Sequence, residues 1–237
     1  MKAWKLAAAV SSIMFASSAM AVEILTDSLQ NTLNGIGATG VDVQNDQIGY
    51  DETWAVSATG GSVSTMVVEL ASLRNENTFG VYDPTNISAK VQLFAGGNNP
   101  GFRITFGITD DGSVILNSDD SGVDFAGNLF GYYISNSTGT FYSQTGLNAD
   151  GIDHMVAFAG NGDTVDLPIW APGEFGAGQY ILAWEDLPFG QADNDFEDLV
   201  VMVESVNPTQ VSVPEPASFA LLGLGLAAIG LRRRKQA

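Results

Sequence analysis

"AWEDLPFGQADNDFEDLVVMV", residues 183–203, places a dense group of acids between two apolar runs. Six of the fourteen residues from Glu185 to Asp198 are acidic. The run before them, residues 180–184, is apolar and aromatic, and the run after them, residues 199–203, is rich in valine. Such runs, separated by Gly, Asn and Asp, are typical of β-strands joined by a turn. The stretch therefore predicts two strands with the acids held on the connection between them.

The same alternation of short apolar runs and turn residues continues through most of the chain. The turns include "AGGNNPG", "TDDGS" and "GNGD", and no clear helical periodicity is present. Strands at this spacing indicate an all-β fold, an antiparallel β-sandwich or jelly roll. We assign residues 75–205 to this sandwich, residues 22–74 to N-terminal strands or an extension, and residues 206–213 to an extended linker. The predicted strands are residues 63–70, 79–82, 90–94, 102–108, 113–116, 130–134, 140–142, 154–158, 164–167, 180–184 and 199–203.

The acids between the last two predicted strands form a candidate calcium site. Crowded carboxylates repel one another unless a proton or a cation joins them, and Ca²⁺ takes about six to eight oxygen ligands. In the D-x-D-x-x-D pattern, Asp193, Asp195 and Asp198 supply oxygens, and Glu185 or Asp186 completes the shell across the connection. The spacing is not that of an EF-hand, because Asp198 stands where the required glycine would be. The alternative is a solvated acidic loop that aids solubility.

A second polar cluster, "NADGIDH", occupies residues 148–154. Its side chains offer ligands for a second metal shell, or for completing the first. Asn-x-Asp-Gly is also good turn chemistry, and a lone histidine can hydrogen-bond across strands, so a structural turn is the favoured interpretation. A further acidic loop is expected at residues 119–124. The candidate ligands of the second cluster are Asn148, Asp150, Asp153 and His154.

Charge and composition exclude several classes of function. Residues 22–213 carry 26 acids against three bases, Arg74, Lys90 and Arg103, which gives a formal charge of −23. Nucleic acid is therefore excluded as a partner, since phosphate binding needs clustered cations. The absence of cysteine rules out disulfides, thiol catalysis and thiolate metal sites, and the single histidine rules out a multi-histidine centre.

Both ends of the chain have the patterns of targeting segments. Two lysines, an apolar stretch and a small-x-small triplet predict a secretory signal peptide over residues 1–21, removed by signal peptidase. Near the other end, the apolar run at residues 217–231 predicts a short transmembrane helix, with the basic residues after it on the cytoplasmic side. The part between, residues 22–213, is therefore expected to be exported.

Residues 214–237 contain a Pro-Glu-Pro motif, the apolar run and an arginine-rich end in that order, and they resemble a PEP-CTERM sorting signal. The resemblance implies that an exosortase, a membrane protease-transpeptidase, recognises and removes the tail and releases or transfers the protein. Such substrates come from Gram-negative bacteria that make exopolysaccharide, so the cell surface or extracellular matrix is the expected destination. The alternative is a permanently anchored periplasmic domain. The motif residues are Pro214, Glu215, Pro216, Arg232, Arg233 and Arg234.

Segments between residues 75 and 204 carry a second resemblance. "FGVYD" at 79–83, "VQLFAGGNNPG" at 91–101, "FGYYI" at 130–134, "FYSQTGLNADGIDH" at 141–154 and the closing acidic block occur in the order typical of one bacterial secreted family. They resemble domain of unknown function 4114. The resemblance implies an exported β-domain found in surface and exopolysaccharide-associated proteins, and it implies no established reaction.

These features favour a noncatalytic exported protein of the cell surface or exopolysaccharide matrix, with a Ca²⁺-stabilised acidic turn. Surface aromatic side chains would offer stacking contacts to a polysaccharide. The alternative is a secreted glycoside hydrolase that uses a carboxylate pair such as Glu185 and Asp198. It is disfavoured because acidic pairs are abundant here, and no G-x-S-x-G, H-E-x-x-H or phosphate-loop motif is present.

Overall fold

The structure is a computed structural model that describes residues 22–57, 62–69, 73 and 75–209. The predicted signal peptide, the Pro-Glu-Pro motif and the predicted transmembrane helix lie outside these residues. Within the described ranges, no helix is long and apolar enough to cross a membrane.

Antiparallel strands are the main regular structure of the described chain. They are β1 (Trp54–Val56), β2 (Ser62–Glu69), β3 (Thr78–Asp83), β4 (Asn86–Phe94), β5 (Arg103–Ile108), β6 (Ser113–Leu116), β7 (Asp119–Asp124), β8 (Leu129–Asn136), β9 (Gly139–Tyr142), β10 (Met155–Ala159), β11 (Asp163–Val165), β12 (Gly173–Phe175), β13 (Gln179–Trp184), β14 (Leu199–Glu204) and β15 (Val206–Pro208). A six-stranded sheet has the order β15-β1-β8-β3-β4, with β9 beside β8. A seven-stranded sheet has the order β10-β13-β14-β2-β5-β6-β7, and β11 and β12 form a separate hairpin.

The two large sheets pack face to face around one continuous hydrophobic core. The six-stranded sheet contributes Trp54, Phe79 and Tyr132, and the seven-stranded sheet contributes Phe106 and Trp184. The ring of Phe79 stacks on Tyr132 with centroids 5.5 Å apart and meets Trp184 edge-on at 5.9 Å. Buried aromatic pairs of this kind stabilise a fold beyond the burial of their area. This packing confirms the predicted all-β antiparallel sandwich.

A second hydrophobic core lies on the outer face of the seven-stranded sheet. The helix α1, Ser28–Gly35, buries Leu29 and Leu33 in the same cluster as Phe158 of β10 and Ile181 of β13. These strands are therefore covered on both faces, which explains why their side chains are almost all buried. The sequence indicated no helix, and α1 corrects this expectation. It was missed because a helix of eight residues with two buried leucines, four positions apart, gives too short a periodic signal.

Two further segments differ from the expectations. The predicted linker begins instead as β15, because Val206 is buried and the strand pairs with β1. The predicted acidic loop at Asp119, Asp120 and Asp124 forms β7, an edge strand whose acids discourage pairing with another chain. Both β1 and β2, which come from the predicted N-terminal strands or extension, occupy interior positions in the sheets.

Candidate metal site

The acidic block begins where β13 ends, and the strand's alternation separates its first two acids. Along β13, Ile181 and Ala183 belong to the second core, whereas Leu182 and Trp184 belong to the main core. Continuing this alternation directs Glu185 toward the second core and Asp186 toward the six-stranded sheet. Their hydrogen-bond partners agree, because Glu185 accepts from Phe196 of the second core and Asp186 accepts from Asn77, which directly precedes β3 of the six-stranded sheet.

Glu185 is 2% exposed, and only one of its two carboxyl oxygens accepts a hydrogen bond from a described residue. Its Oε1 accepts a hydrogen bond from the backbone N–H of Phe196 at 2.8 Å. Its Oε2 is buried and accepts no hydrogen bond within the described part of the chain. Burial raises the pKa of Glu185 to about 7, and the negative charges of Asp193 and Asp195 add to the shift.

A tightly wound loop brings Asp193 and Asp195 to Glu185. Asn194 and Phe196 have φ values of +58° and +57°, in the left-handed region that a bulky residue such as phenylalanine rarely adopts. One carboxylate oxygen from each of Glu185, Asp193 and Asp195 lies within 4.8 Å of the others. Asp195 is buried and Asp193 is exposed, so this acidic trio is open to solvent on one side. Burial also raises the pKa of Asp195.

Asp186 and Asp198 form a second acidic pair next to the trio. Asp186 is fully buried, its Oδ2 accepts a hydrogen bond from Asn77 at 2.8 Å, and its Oδ1 has no partner among the described residues. The backbone N–H of Asp186 donates to Asp198 Oδ2 at 3.0 Å. Burial, followed by the charges of Asp186 and Glu185, raises the pKa of Asp198 to about 8. The five predicted ligands are thus arranged as three converging carboxylates and a neighbouring pair.

The second predicted cluster consists largely of turn contacts. Asn148 Oδ1 accepts from the N–H of Tyr142 at 2.7 Å, and its Nδ2 donates to the carbonyl groups of Tyr142 and Ile152. Asp150 Oδ2 accepts from the N–H of Phe189 at 2.9 Å, and hydrogen bonding lowers its pKa despite partial burial. These contacts hold the turn at 148–154 against the acidic block.

His154 connects the two clusters. Its ring is buried and stacks on Phe141, with centroids 4.1 Å apart. Its Nε2 lies 3.0 Å from Asp150 Oδ2, and its Nδ1 lies 3.2 Å from the carbonyl oxygen of Glu185. Both ring nitrogens therefore have protein partners, and the histidine positions the end of β13.

Asp153, the last member of the second cluster, faces a group of acids that the sequence did not indicate. Burial raises the pKa of Asp153 to about 7, and the pKa of the buried Asp51 lies well above its ordinary value through burial and the charge of Asp153.

Asn77 and Asn136, which bond to Asp186, were also missed. Asn136 Nδ2 donates to Asn77 Oδ1 at 3.0 Å and to the Asp186 carbonyl at 2.7 Å. No local pattern marks these contacts, because they join residues about 50 to 109 positions apart.

Two family models match the chain. The model of the PEP-CTERM protein-sorting motif matches residues 212–235, and the model of the domain of unknown function DUF4114 matches residues 99–206. No curated protein and no solved structure is significantly similar to the chain. Both resemblances seen in the sequence are confirmed, with the DUF4114 match beginning at residue 99 rather than near 75.

The two matches differ in what they imply. A PEP-CTERM motif implies export, transient anchoring in a membrane and processing by an exosortase, which is a membrane protein. The DUF4114 match includes the acidic trio, and neither family description names a catalytic activity. Residues 99–206 are therefore similar to the DUF4114 family, and the residues that follow match a PEP-CTERM protein-sorting motif.

Proposed function

We propose that this protein is an exported, noncatalytic module whose acidic trio, Glu185, Asp193 and Asp195, binds Ca²⁺. The buried Oε2 of Glu185, which accepts no hydrogen bond within the described residues, is the observation that carries the proposal. A buried polar atom without a partner costs roughly 1–3 kcal/mol, and more when it is charged. A cation shared with the two nearby aspartates would remove that cost and the repulsion between the carboxylates.

The donor set suits calcium better than other common metals. Three carboxylates supply hard oxygen ligands, and the exposed Asp193 leaves room for water to complete the shell. Ca²⁺ accepts irregular shells of about six to eight oxygens, whereas Mg²⁺ requires near-octahedral geometry. Zinc prefers nitrogen and sulfur ligands, but the chain has no cysteine, and its one histidine bonds to Asp150 and to the Glu185 carbonyl.

Calcium at this position would have a structural role. It would join the end of β13 to the loop at 193–196, whose Phe196 lies in the second core. The same loop is bonded to the N-terminal segment, because the N–H of Leu25 donates to the Asn194 carbonyl at 2.9 Å. Bound Ca²⁺ would therefore stabilise the layer that covers the seven-stranded sheet, and it would offset part of the high negative charge.

Thermal unfolding with calcium and with chelator tests this proposal. At a free Ca²⁺ concentration 100 times the Kd, binding to the folded state adds about 2.7 kcal/mol. For a domain of this size, that corresponds to a rise in Tm of roughly 5–10 °C. The variant Glu185→Gln should lose most of the rise, and Glu174→Gln, which changes an exposed acid on β12, should keep it. An equal rise in both variants would contradict calcium binding by the trio.

We propose further that the mature protein resides at the cell surface or in the exopolysaccharide matrix after an exosortase removes the tail. The sorting motif and a formal charge of −23 over residues 22–213, which favours solubility outside the cell, support this location. In a strain without exosortase, the full-length protein should accumulate in the membrane fraction. If the tail is retained on the membrane-bound protein in the unaltered strain, the alternative of a permanently anchored periplasmic domain is correct.

A further inference from the structure

An exposed apolar ridge borders the outer face of the seven-stranded sheet. It consists of Ile169 and Trp170, which are 84% and 40% exposed. The ridge begins after Leu167, which lies in the second core, and it lies against the loop that leads into β5. The ridge shares no residue with the acidic trio.

Two specific contacts hold the exposed indole of Trp170 in place. The Trp170 indole Nε1 donates to the Gly101 carbonyl at 2.7 Å. The Arg103 guanidinium carbon lies 3.8 Å from the centroid of the Trp170 ring, which is a cation–π contact. The ridge is therefore pre-organised, so a ligand that stacks on it loses little side-chain entropy of the protein.

Ile169 adopts a backbone conformation that β-branched residues rarely take. Its φ is +62°, in the left-handed region, which is energetically unfavourable for a β-branched residue. Burial of its side chain does not offset this cost, because the side chain is 84% exposed. Gly101, at φ +86°, permits the arrangement, since a Cβ there would collide with the Pro168 carbonyl oxygen and the Ile169 side chain. Strained segments of this kind cluster at binding sites.

The size of the ridge suits a small ligand surface better than a protein partner. At roughly 150–250 Å² per large side chain, the two exposed fractions amount to about 250 Å². A standard protein–protein interface needs about 800 Å² from each partner. One or two sugar rings match the smaller area, and their C–H faces stack on an indole ring.

We infer that this ridge binds a neutral polysaccharide, with one sugar ring stacked on Trp170 beside Ile169. The guanidinium of Arg103 lies over one face of this indole, so the sugar would stack against the opposite face. The formal charge of −23 on residues 22–213 disfavours polyanionic polymers by long-range repulsion. The inference rests on the proposed role in the matrix, and it is independent of the proposed calcium site.

The test compares binding of full-length protein in detergent to insoluble cellulose, chitin and curdlan, with alginate as the acidic polymer. The wild type should bind at least one neutral polymer, and Trp170→Ala should weaken that binding at least about tenfold. Ile169→Gly, which removes the apolar side chain and relieves the backbone, should weaken binding without lowering stability. Tyr50→Ala is the matched control, because Tyr50 is 44% exposed and lies outside the ridge.

Fluorescence gives a direct readout of the ridge. Trp54 and Trp184 are fully buried, so among the described tryptophans Trp170 should account for quenching by acrylamide. A bound polymer should reduce that quenching in the wild type and have no effect in Trp170→Ala. Glu185→Gln should bind the polymer normally, which separates this inference from the calcium proposal. Binding unchanged by Trp170→Ala, binding to none of the neutral polymers, or preference for alginate would each overturn the inference.

Discussion

Protonation of Glu185 should make the stability of this protein depend on pH. Without calcium, the free energy of unfolding should fall as pH rises, and bound calcium should remove that fall. Without metal, the folded protein holds the pKa of this carboxyl at about 7, against an ordinary 4.5. Between these values the folded state binds more protons than the unfolded state. The free energy of unfolding therefore falls as pH rises from about 4.5 to 7, since its slope follows the protons bound by the unfolded state minus those bound by the folded state.

The expected magnitude follows from the shift itself. A shift of about 2.5 pKa units, at 1.36 kcal/mol per unit, corresponds to about 3 kcal/mol of stability lost across this interval. Asp195, Asp186 and Asp198 have pKa values shifted in the same direction and should enlarge the total fall. Saturating Ca²⁺ requires the ionised carboxylates, so it should remove the fall and stabilise the protein more at pH 8 than at pH 5.

Urea unfolding at several pH values from 4.5 to 8, in chelator and in calcium, measures these effects. Glu185→Gln keeps an oxygen that accepts the Phe196 N–H and removes the titrating proton. In chelator, this variant should therefore show a shallower fall than the wild type, by about 3 kcal/mol over the interval. A wild type and variant with the same pH dependence in chelator would refute the assignment of the shift to Glu185. Stability that rises with pH in chelator would refute the reasoning as a whole.

Two substitutions test the packing around the site. Leu33→Ala should lower the free energy of unfolding by about 2–5 kcal/mol, because the Leu33 side chain of α1 is fully buried. The control Leu25→Ala, at a 60% exposed position, should change it by under about 0.5 kcal/mol in the same urea titration. Asn77→Ala removes the amide that donates to Asp186 Oδ2 and accepts from Asn136, so it should lower the free energy of unfolding by about 1–3 kcal/mol. A loss below about 0.5 kcal/mol would show that these hydrogen bonds contribute little.

The strands were predictable because each is a short run of apolar and β-branched residues closed by turn residues. The approach of Asp193 and Asp195 to Glu185 was also predicted, since the acids lie between two strands that pair directly. Asp186 lies apart from the trio because it directly follows Glu185, and consecutive residues of a strand point to opposite faces of the sheet. The sequence alone does not show which face each residue takes, because that depends on the pairing of the sheets.

Contacts between distant segments were not predictable. Asn136 and Asn77 meet at Asp186 because β3 pairs with β8, and no local pattern specifies that pairing. The same limit applies to the tryptophans: Trp54 and Trp184 are fully buried, whereas Trp170 is exposed, although all three lie in or next to apolar runs. Their environments are set by how the sheets and loops pack, which requires the tertiary structure.

The DUF4114 match and the folding unit have different boundaries. The match begins at residue 99, after β1 to β4, so on its own it would retain only β8, β9 and the first residue of β15 from the six-stranded sheet. The main core would then lose Trp54, Phe79 and Phe94, all of them buried. At about 25 cal/mol per Å² and roughly 150–250 Å² per ring, each contributes about 4–6 kcal/mol of burial. Their sum is comparable to the whole stability of an ordinary domain, about 5–15 kcal/mol. The acidic trio is therefore held in place by a sandwich that requires the strands before residue 99 as well as those within the family match.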